Sequence, residues 1–467
     1  MSDPLATLAG IAPDVWLVGG AVRDELLGRE TTDYDVVLVA RDDGTIAAVA
    51  RALARAENGF AFELSDAFGA WRVVEHLHRW QVDLTPLGGE TIDADLRRRD
   101  LTVNAIARSL GGGALADPTG GREDLAARRL RAVSDRSFRE DPLRTVRVAR
   151  LASELGFTVD AGTVQLARAS AAGLAGVAPE RVFTELKRLL SADGAIAGLE
   201  LLDATGVTEI ILPELSALRG VEQSRFHHLD VLGHTRAALA ELIGLQKDPE
   251  IIFGSDGPAL AALFAEPLAN ELSRGQALRF GALLHDIAKP QTREVSAEGR
   301  VTFIGHDTAG AQLGRTILGR LRASERLAEF VCAVTREHLR LGFLVHQAPL
   351  DRRAAYRYLH ACAPVSVEVT ALSVADRLAT RGDNAEVAIA RHLDLARQMV
   401  GAGLAWRADP PRPPVRGDTL ARALGLAPGP RIGELLHVLE EAGYAGEIGS
   451  EAEAIAYARQ RSGPDGP

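Results

Sequence analysis

Asp33 and Asp35 stand two positions apart in DYDVVLV, a Val-rich stretch that reads as a strand. Carboxylates at i and i+2 of a strand point to the same face. Ionised and held close, they repel one another unless a cation lies between them. Hard oxygen ligands with open positions suit Mg²⁺, which takes one or two carboxylates together with substrate phosphates. Asp83, in QVDLT, reads as a carboxylate on a neighbouring strand. A third acid would complete the ligands of a two-metal nucleotidyl site or take the proton of an attacking hydroxyl; the other reading is an exposed strand residue. Upstream, Gly19-Gly20 forces a tight turn whose backbone N–H groups suit a triphosphate, with Arg23 and Asp24 on the first helical turn after it.

Further along, Arg98, Asp100 and Asn104 fall in LRRRDLTVNAIA. Arginines beside this polar set are either a solvated face or phosphate clamps. Asp141 and Arg144, in REDPLRTVRVA, are i and i+3 on an expected helix over Arg139–Ala149, with Pro142 in its first turn. They read as a surface ion pair or as a base-recognising pair. In the second reading the carboxylate accepts from cytosine N4 or adenine N6, and the guanidinium donates to the adjacent acceptors. Guanine and uracil present the opposite edge, and each good bidentate contact is worth roughly 1–3 kcal/mol of discrimination. A second constellation comprises His234, His285-Asp286, His306, His338 and Asp376. A His-Asp pair after four apolar residues is costly to bury unless paired or metal-bound. Any one of these histidines alone reads as a satisfied core residue.

The positioning elements follow from pattern. Val15–Val18 reads as a buried strand, Ala21–Leu27 as a helix ended by Gly28, and Tyr34–Val39, within a unit reaching Ala40, as a second strand. Ile46–Ala56 reads as an amphipathic helix, and Trp71–Glu75 and Trp80–Leu84 as a hairpin about His76-Leu77-His78. Residues 190 to 225 have a helical pattern with Gly and Pro breaks. Asp409–Pro414 is a stiff Pro-rich linker, short helices follow it, and 462–467 is expected to be disordered. At 467 residues several domains are expected. The formal charge of −10 argues against wholesale coating by nucleic acid, though not against a local basic track. Cys332 and Cys362 are the only cysteines, which excludes a disulfide framework and a Cys-rich zinc site. With neither a signal-peptide pattern nor an apolar run of membrane-spanning length, the chain reads as cytoplasmic, with no membrane partner.

In this order and spacing, LVGGAVRDELLG…DYDVVLV resembles the head of the polymerase-β-like nucleotidyltransferases. It is similar to their class II branch, the tRNA CCA-adding enzymes and bacterial poly(A) polymerases. RRDLTVNAIA resembles the family's second motif, Ala116–Leu125 its hinge, Glu140-Asp141…Arg144 its amino-acid template, and Ala178–Lys187 its next neck motif. The resemblance implies an α+β fold: a small mixed-sheet head over 1–130, a helical neck and body over 131–225, then two further helical segments. It implies Asp33, Asp35 and Asp83 as catalytic acids with Mg²⁺ on the first two. Gly19, Gly20, Arg23, Arg98, Asp100, Asn104, Asp141, Arg144 and Arg147 would bind nucleotide, Glu140 and Arg147 in support. The ordered histidines resemble the HD metal-dependent phosphohydrolases, with a domain over 226–405 and a tRNA-docking tail over 406–461. There His234, His285, Asp286 and Asp376 would hold one metal, and His306 and His338 would complete a second. Without a thiolate, Mn, Fe, Ni or Co suits the set better than structural zinc. The implied partners are tRNA, CTP and ATP. Only Leu87–Ala94 stands where CCA-adding members carry a long flexible loop implicated in switching from CTP to ATP. A CC-adding enzyme is therefore expected, with complete CCA addition, addition of A alone, poly(A) synthesis and phosphohydrolase chemistry as alternatives.

Overall fold

The computed structural model describes residues 3–39, 44–65, 69–224, 227–381 and 385–461. Ala40, Phe226 and the 462–467 end, named above, lie outside the described residues. The chain divides into two compact units, Met1–Ile211 and Leu212–Pro467.

The first unit begins with α1 (Pro4–Ile11), β1 (Val15–Val18), α2 (Gly20–Leu26), β2 (Asp33–Leu38) and α3 (Thr45–Ala56). Then come β3 (Gly59–Ser65), β4 (Ala70–Glu75), β5 (Gln81–Pro86), α4 (Ile92–Leu96) and β6 (Ala107–Ser109). The strands form one mixed sheet in the order β3-β4-β5-β2-β1-β6, in which β2 and β5 run parallel and the other neighbours antiparallel. Leu17, Val36, Val73, Val82 and Leu84 share a core with Ala50 and Leu53 of α3. Alternation turns their neighbours to the other face. There Val18, Val37 and Ala107 pack with Leu96 of α4 and Ala105. The expected elements of this region are present, within a residue or two at their ends.

After β6 the unit becomes helical: α5 (Gly121–Ala126), α6 (Ser137–Glu140), α7 (Arg144–Leu155), α8 (Ala161–Ser170), α9 (Pro179–Ser191) and α10 (Ala195–Ala204). A parallel bridge of β7 (Arg129–Leu130) with β8 (Thr158–Val159) ties the run together. The continuous helix expected over Arg139–Ala149 is corrected here. It breaks at Asp141, which is extended (φ −141°, ψ 98°). A residue before proline is pushed out of the α region, and Pro142 has no N–H to donate. Asp141 and Arg144 therefore do not share a helix face; they flank a turn.

In the second unit the principal helices are Val231–Lys247, Arg274–Leu284, His306–Arg320, Glu325–Glu337, Arg352–Cys362, Ser366–Ala379 and Ala385–Ala408. The Pro-rich segment is non-helical, and three helices beyond it enclose a small core of Leu420, Leu435, Leu439 and Ala454. Among the described residues no single helix is long and apolar enough to cross a membrane.

Asp124 on α5 holds the head to the first helical segment. It is fully buried and accepts from Thr102 Oγ1 (2.7 Å), Arg129 Nε (2.7 Å) and Arg131 Nε (2.9 Å). Burial opposes its charge, but Thr102, Arg129 and Arg131 outweigh that and hold the carboxyl below its ordinary value. Its stabilisation is therefore complete above about pH 4 and is lost as pH falls through the lower folded value. Both guanidinium groups are about 40% exposed, which screens the network. Asp124→Ala is expected to cost about 3 kcal/mol in denaturant unfolding at pH 7. The difference from wild type should shrink below about pH 4; a loss independent of pH would contradict this account.

Candidate functional site

The head site is built where β1 ends. Gly19 has φ +71°, and a Cβ there would lie 3.3 Å from Asp35 Oδ2 and 3.1 Å from Arg99 Nη1. Only glycine lets the turn approach the acids so closely. Register places Asp35 opposite Asp83 across the parallel pair, and Asp33 opposite Gln81, whose Nε2 donates to Asp33 Oδ1 at 2.9 Å. Arg72 of β4 faces Asp83 and donates two bonds to its carboxylate, both at 2.7 Å. Asp35 is open to solvent along one edge, yet desolvation by the surrounding protein raises its carboxyl above the ordinary range. Asp33 and Asp83 add to the rise, while Arg99 and Arg147 oppose it. Excess negative charge at an open edge fits a divalent cation.

Arg23 is buried beneath the Gly19-Gly20 turn. Its Nη1 donates to Asn104 Oδ1 at 2.7 Å, and Nε and Nη2 donate to Asp24 at 2.9 and 2.8 Å. Its partners in the structure are thus Asn104 and Asp24, which makes it a brace for Asn104. Asn104 Nδ2 in turn donates to Asp100 at 3.2 Å. Asp100 also accepts from the N–H of Leu101 at 2.8 Å and pairs with Arg147 Nε at 2.7 Å. Burial opposes its charge, but Arg147 and these hydrogen bonds hold its carboxyl below the usual value.

Beside Asp100 lies a cavity of about 290 Å³ lined by Arg99, Asp100, Asp141, Leu143, Arg144, Arg147 and Arg181. The turn around Pro142 thus still delivers Asp141 and Arg144 to one wall. Asp141 Oδ2 accepts from Arg181 Nη2 at 2.8 Å, and Arg144 Nη1 donates to the carbonyls of Ser137 and Arg98 at 3.1 and 3.3 Å. Arg98 itself points elsewhere, to the Gly88 carbonyl at 3.0 Å. Arg99 lines the cavity in its place. The RRRD run does not say which arginine turns inward. Arg72 and Arg181 carry no local sequence signal, because their partners lie on other elements and are met only through strand register and helix packing.

In the second unit His234 and Asp376 project from the helices Val231–Lys247 and Ser366–Ala379. His285 and His338 sit at helix C-termini, and His306 begins its own helix. His285, His306 and His338 each donate Nδ1–H to the carbonyl three residues back, at 2.8, 2.7 and 2.6 Å. With Nδ1–H so engaged, each ring presents its Nε2 lone pair when it is neutral. The Nε2 atoms converge: ligand atoms of His234, His285 and Asp376 lie within 4.8 Å of one another, and so do those of Asp286, His306 and His338. Asp286 joins the two groups. Its Oδ2 is 3.1 Å from His285 Nε2, and its Oδ1 is 3.3 Å from His306 Nε2. His234 Nε2 lies 2.9 Å from Asp376 Oδ1 and Asp286 Oδ2 lies 2.7 Å from Lys289 Nζ, while His285 Nε2 is buried without a hydrogen-bond partner. Two clusters of buried imidazole nitrogen and carboxylate oxygen, with Asp286 between them, would fit divalent cations. Burial, aided by His285, pushes His338 down to about 4, so its ring is neutral near pH 7. Burial opposes the charge on Asp286, but His285 and Lys289 hold that carboxyl well below its ordinary range. A cavity of about 910 Å³ opens beside the cluster.

A mixed-sheet head with acids at a glycine turn, followed by helices that carry an HD ligand set, defines a nucleotidyltransferase joined to an HD domain. Family models agree: a poly A polymerase head domain over 15–131, a probable RNA and SrmB-binding site of polymerase A over 156–218, and an HD domain over 259–381. The chain is 38% identical to the A-adding tRNA nucleotidyltransferase of Deinococcus radiodurans, covering 96% of this chain and 95% of that one. It is 35% identical to the CC-adding tRNA nucleotidyltransferase of Thermus thermophilus, covering 95% and 93%. A solved CCA-adding enzyme in its apo form superposes with TM-score 0.67 at 19% identity, covering 99% of this chain and 94% of that one. The chain belongs to the tRNA nucleotidyltransferase family of the CCA-adding type.

The bridging position of Asp286 sets an unequal outcome for the ligands. Protein loaded with Mn²⁺ and desalted is expected to hold two ions in the HD cluster by elemental analysis. His338→Ala should remove one of them and Asp286→Ala both. Equal losses from the two variants would contradict a bridge.

Proposed function

We propose that the chain extends the 3′ end of tRNA without a template, transferring CMP from CTP and stopping after two additions. Its segments are a head over 1–130, a neck and body over 131–225, an HD domain over 226–405 and a tRNA-docking tail over 406–461, at work in the cytoplasm. Asp33 and Asp35 would hold Mg²⁺, which supplies a Lewis acid at the phosphates when bound. Asp83 is placed to accept the proton of the tRNA 3′-hydroxyl once Arg72 releases it. The 3′-oxygen then bonds to the α-phosphorus of CTP, and the bond to pyrophosphate breaks. Gly19 and Gly20 present backbone N–H groups to the triphosphate, while Arg99 and Arg147 offset its charge. Asn104, braced by Arg23, and Asp100 face the ribose. Asp141 accepts from cytosine N4, and the free N–H groups of Arg144 donate to the ring acceptors.

Restriction to C rests on one observation: only Leu87–Thr91 joins β5 to α4. Five residues leave no arm to reshape the base cavity for ATP. Identity does not choose, since the two relatives above are named for different additions. Truncated tRNAs decide the matter. A tRNA lacking CCA should grow by two nucleotides with CTP alone, and one ending in CC should stay unchanged with ATP. Addition of A to the CC end would refute the restriction. Asp33→Ala with Asp35→Ala should abolish CMP incorporation. Asp141→Ala should narrow the preference for CTP over UTP by about tenfold or more, as the loss of one base-edge contact requires.

The two-cation ligand set favours a second activity in the same chain, hydrolysis of a phosphoester at the HD site, with Mn, Fe, Ni or Co as the metal. Metal-dependent cleavage of a 2′,3′-cyclic nucleotide, lost in His285→Ala with CMP transfer retained, is the expected result. Unchanged cleavage in that variant would refute it.

A further inference from the structure

The outer face of the head sheet continues past the acids. Register puts Asp35, Asp83, Arg72 and Phe62 in one row across β2, β5, β4 and β3. Asp33, Gln81, Val74 and Phe60 form the next row. Paired residues share a face, so both phenylalanines stand on the side of the sheet that carries the acids. Three strand spacings separate Asp35 from Phe62, about 14 Å. At the opposite end this face is covered, where Val18, Val37 and Ala107 meet α4. At the β3 end the rings stay in water: Phe60 is 58% and Phe62 47% exposed, with Leu64 and Leu77 open beside them. The His76 ring lies 5.6 Å from that of Phe60. Arg72 stands between the rings and the acids.

Nothing in the folding of the sheet calls for two adjacent exposed aromatics on an edge strand, where they invite aggregation. Their place relative to the acids does suit one occupant. The Gly19 turn, Arg99 and the base cavity occupy the α4 and α7 side of Asp35, which is the nucleotide's side. The strand that brings the attacking hydroxyl must leave in another direction, and β5, β4 and β3 lead away from the acids on the open face. Aromatic rings interleaved with a cation are what unpaired nucleotides bind, with stacking that tolerates any base.

We infer that Phe60 and Phe62 form a stacking platform for the unpaired 3′-terminal bases of the RNA acceptor, with Arg72 meeting the phosphate between them and the acids. This rests on the nucleotidyl-transfer reading of the same face. Because stacking reads no base edge, the platform would accept acceptors that differ in their last base, leaving selection to the incoming nucleotide.

The test uses full-length protein and a tRNA ending before CCA. Phe60→Leu with Phe62→Leu keeps apolar bulk but removes both rings. The variant is expected to raise KM for this tRNA about tenfold, with KM for CTP within twofold and the thermal midpoint unchanged. Phe60→Trp with Phe62→Trp should retain the wild-type KM. Leucine variants with unaltered KM for tRNA overturn the platform, as does a shift in oligomeric state without a change in KM, which would make the edge a contact between copies. Binding is read separately by anisotropy of the labelled tRNA. Wild-type protein that binds RNA through the rings yet transfers nothing would sink the transfer reading alone.

Discussion

The parallel pairing of β2 with β5 is the constraint on which the head depends. It sets Asp35 beside Asp83 and, one strand further, Arg72 beside Asp83. A slip of one residue would turn Asp33 and Asp35 into the core and expose Val36 and Leu38. The apolar face therefore enforces the polar one: Leu17, Val36, Val82 and Leu84 cannot leave the α3 side without loss of the main core. Charge repulsion among three carboxylates is tolerated because burial on the opposite face holds the strands in place.

The two halves of the chain handle buried charge differently. Around the first site several acids are paired with an arginine, whereas Asp33 accepts from Gln81. Asp83 has Arg72, Asp100 has Arg147, and Asp141 has Arg181. These partners are mobile side chains that can exchange one anion for another, as a site that admits a triphosphate and releases pyrophosphate requires. In the HD cluster the partners are imidazoles, three of them held by backbone carbonyls, and among the described residues Lys289 is the permanent cation paired with Asp286. Side chains anchored in this way converge before any ion is bound. One arrangement suits turnover of charged substrates, the other retention of ions.

Arg23 illustrates how a motif residue can act at one remove. It lies under the glycine turn, but its hydrogen bonds run to Asn104 and Asp24. Removing its guanidinium would leave Asn104 Oδ1 and the Asp24 carboxylate without the donor they share, a cost that falls on geometry before it falls on any phosphate. Asp124 does the same for the turn around Thr102, although it does not itself line the cavity. The acid-bearing face of the sheet is thus held by arginine–aspartate contacts whose members are scattered over more than a hundred residues.

Much of this was legible in the amino-acid order alone. Local patterns determine local structure, so the strand–glycine–helix–strand unit and the D-x-D pair could be read from spacing, while family resemblance pointed to the six His and Asp residues that cluster in the second unit. The histidines were legible because a His-Asp pair inside an apolar helix has few other ways to be satisfied. Other features were decided only by tertiary structure. Which arginine of RRRD faces the cavity depends on how α4 ends, and Arg99 rather than Arg98 lines it. The partners of Asp83 and Asp141 came from β4 and α9, through contacts that no periodicity encodes. Pro142 broke a helix whose apolar spacing looked continuous, because a missing N–H and a restricted preceding residue outweigh amphipathic pattern. Sequence carries the chemistry of each side chain and its local direction, whereas the company it keeps is set by packing between segments far apart in the chain.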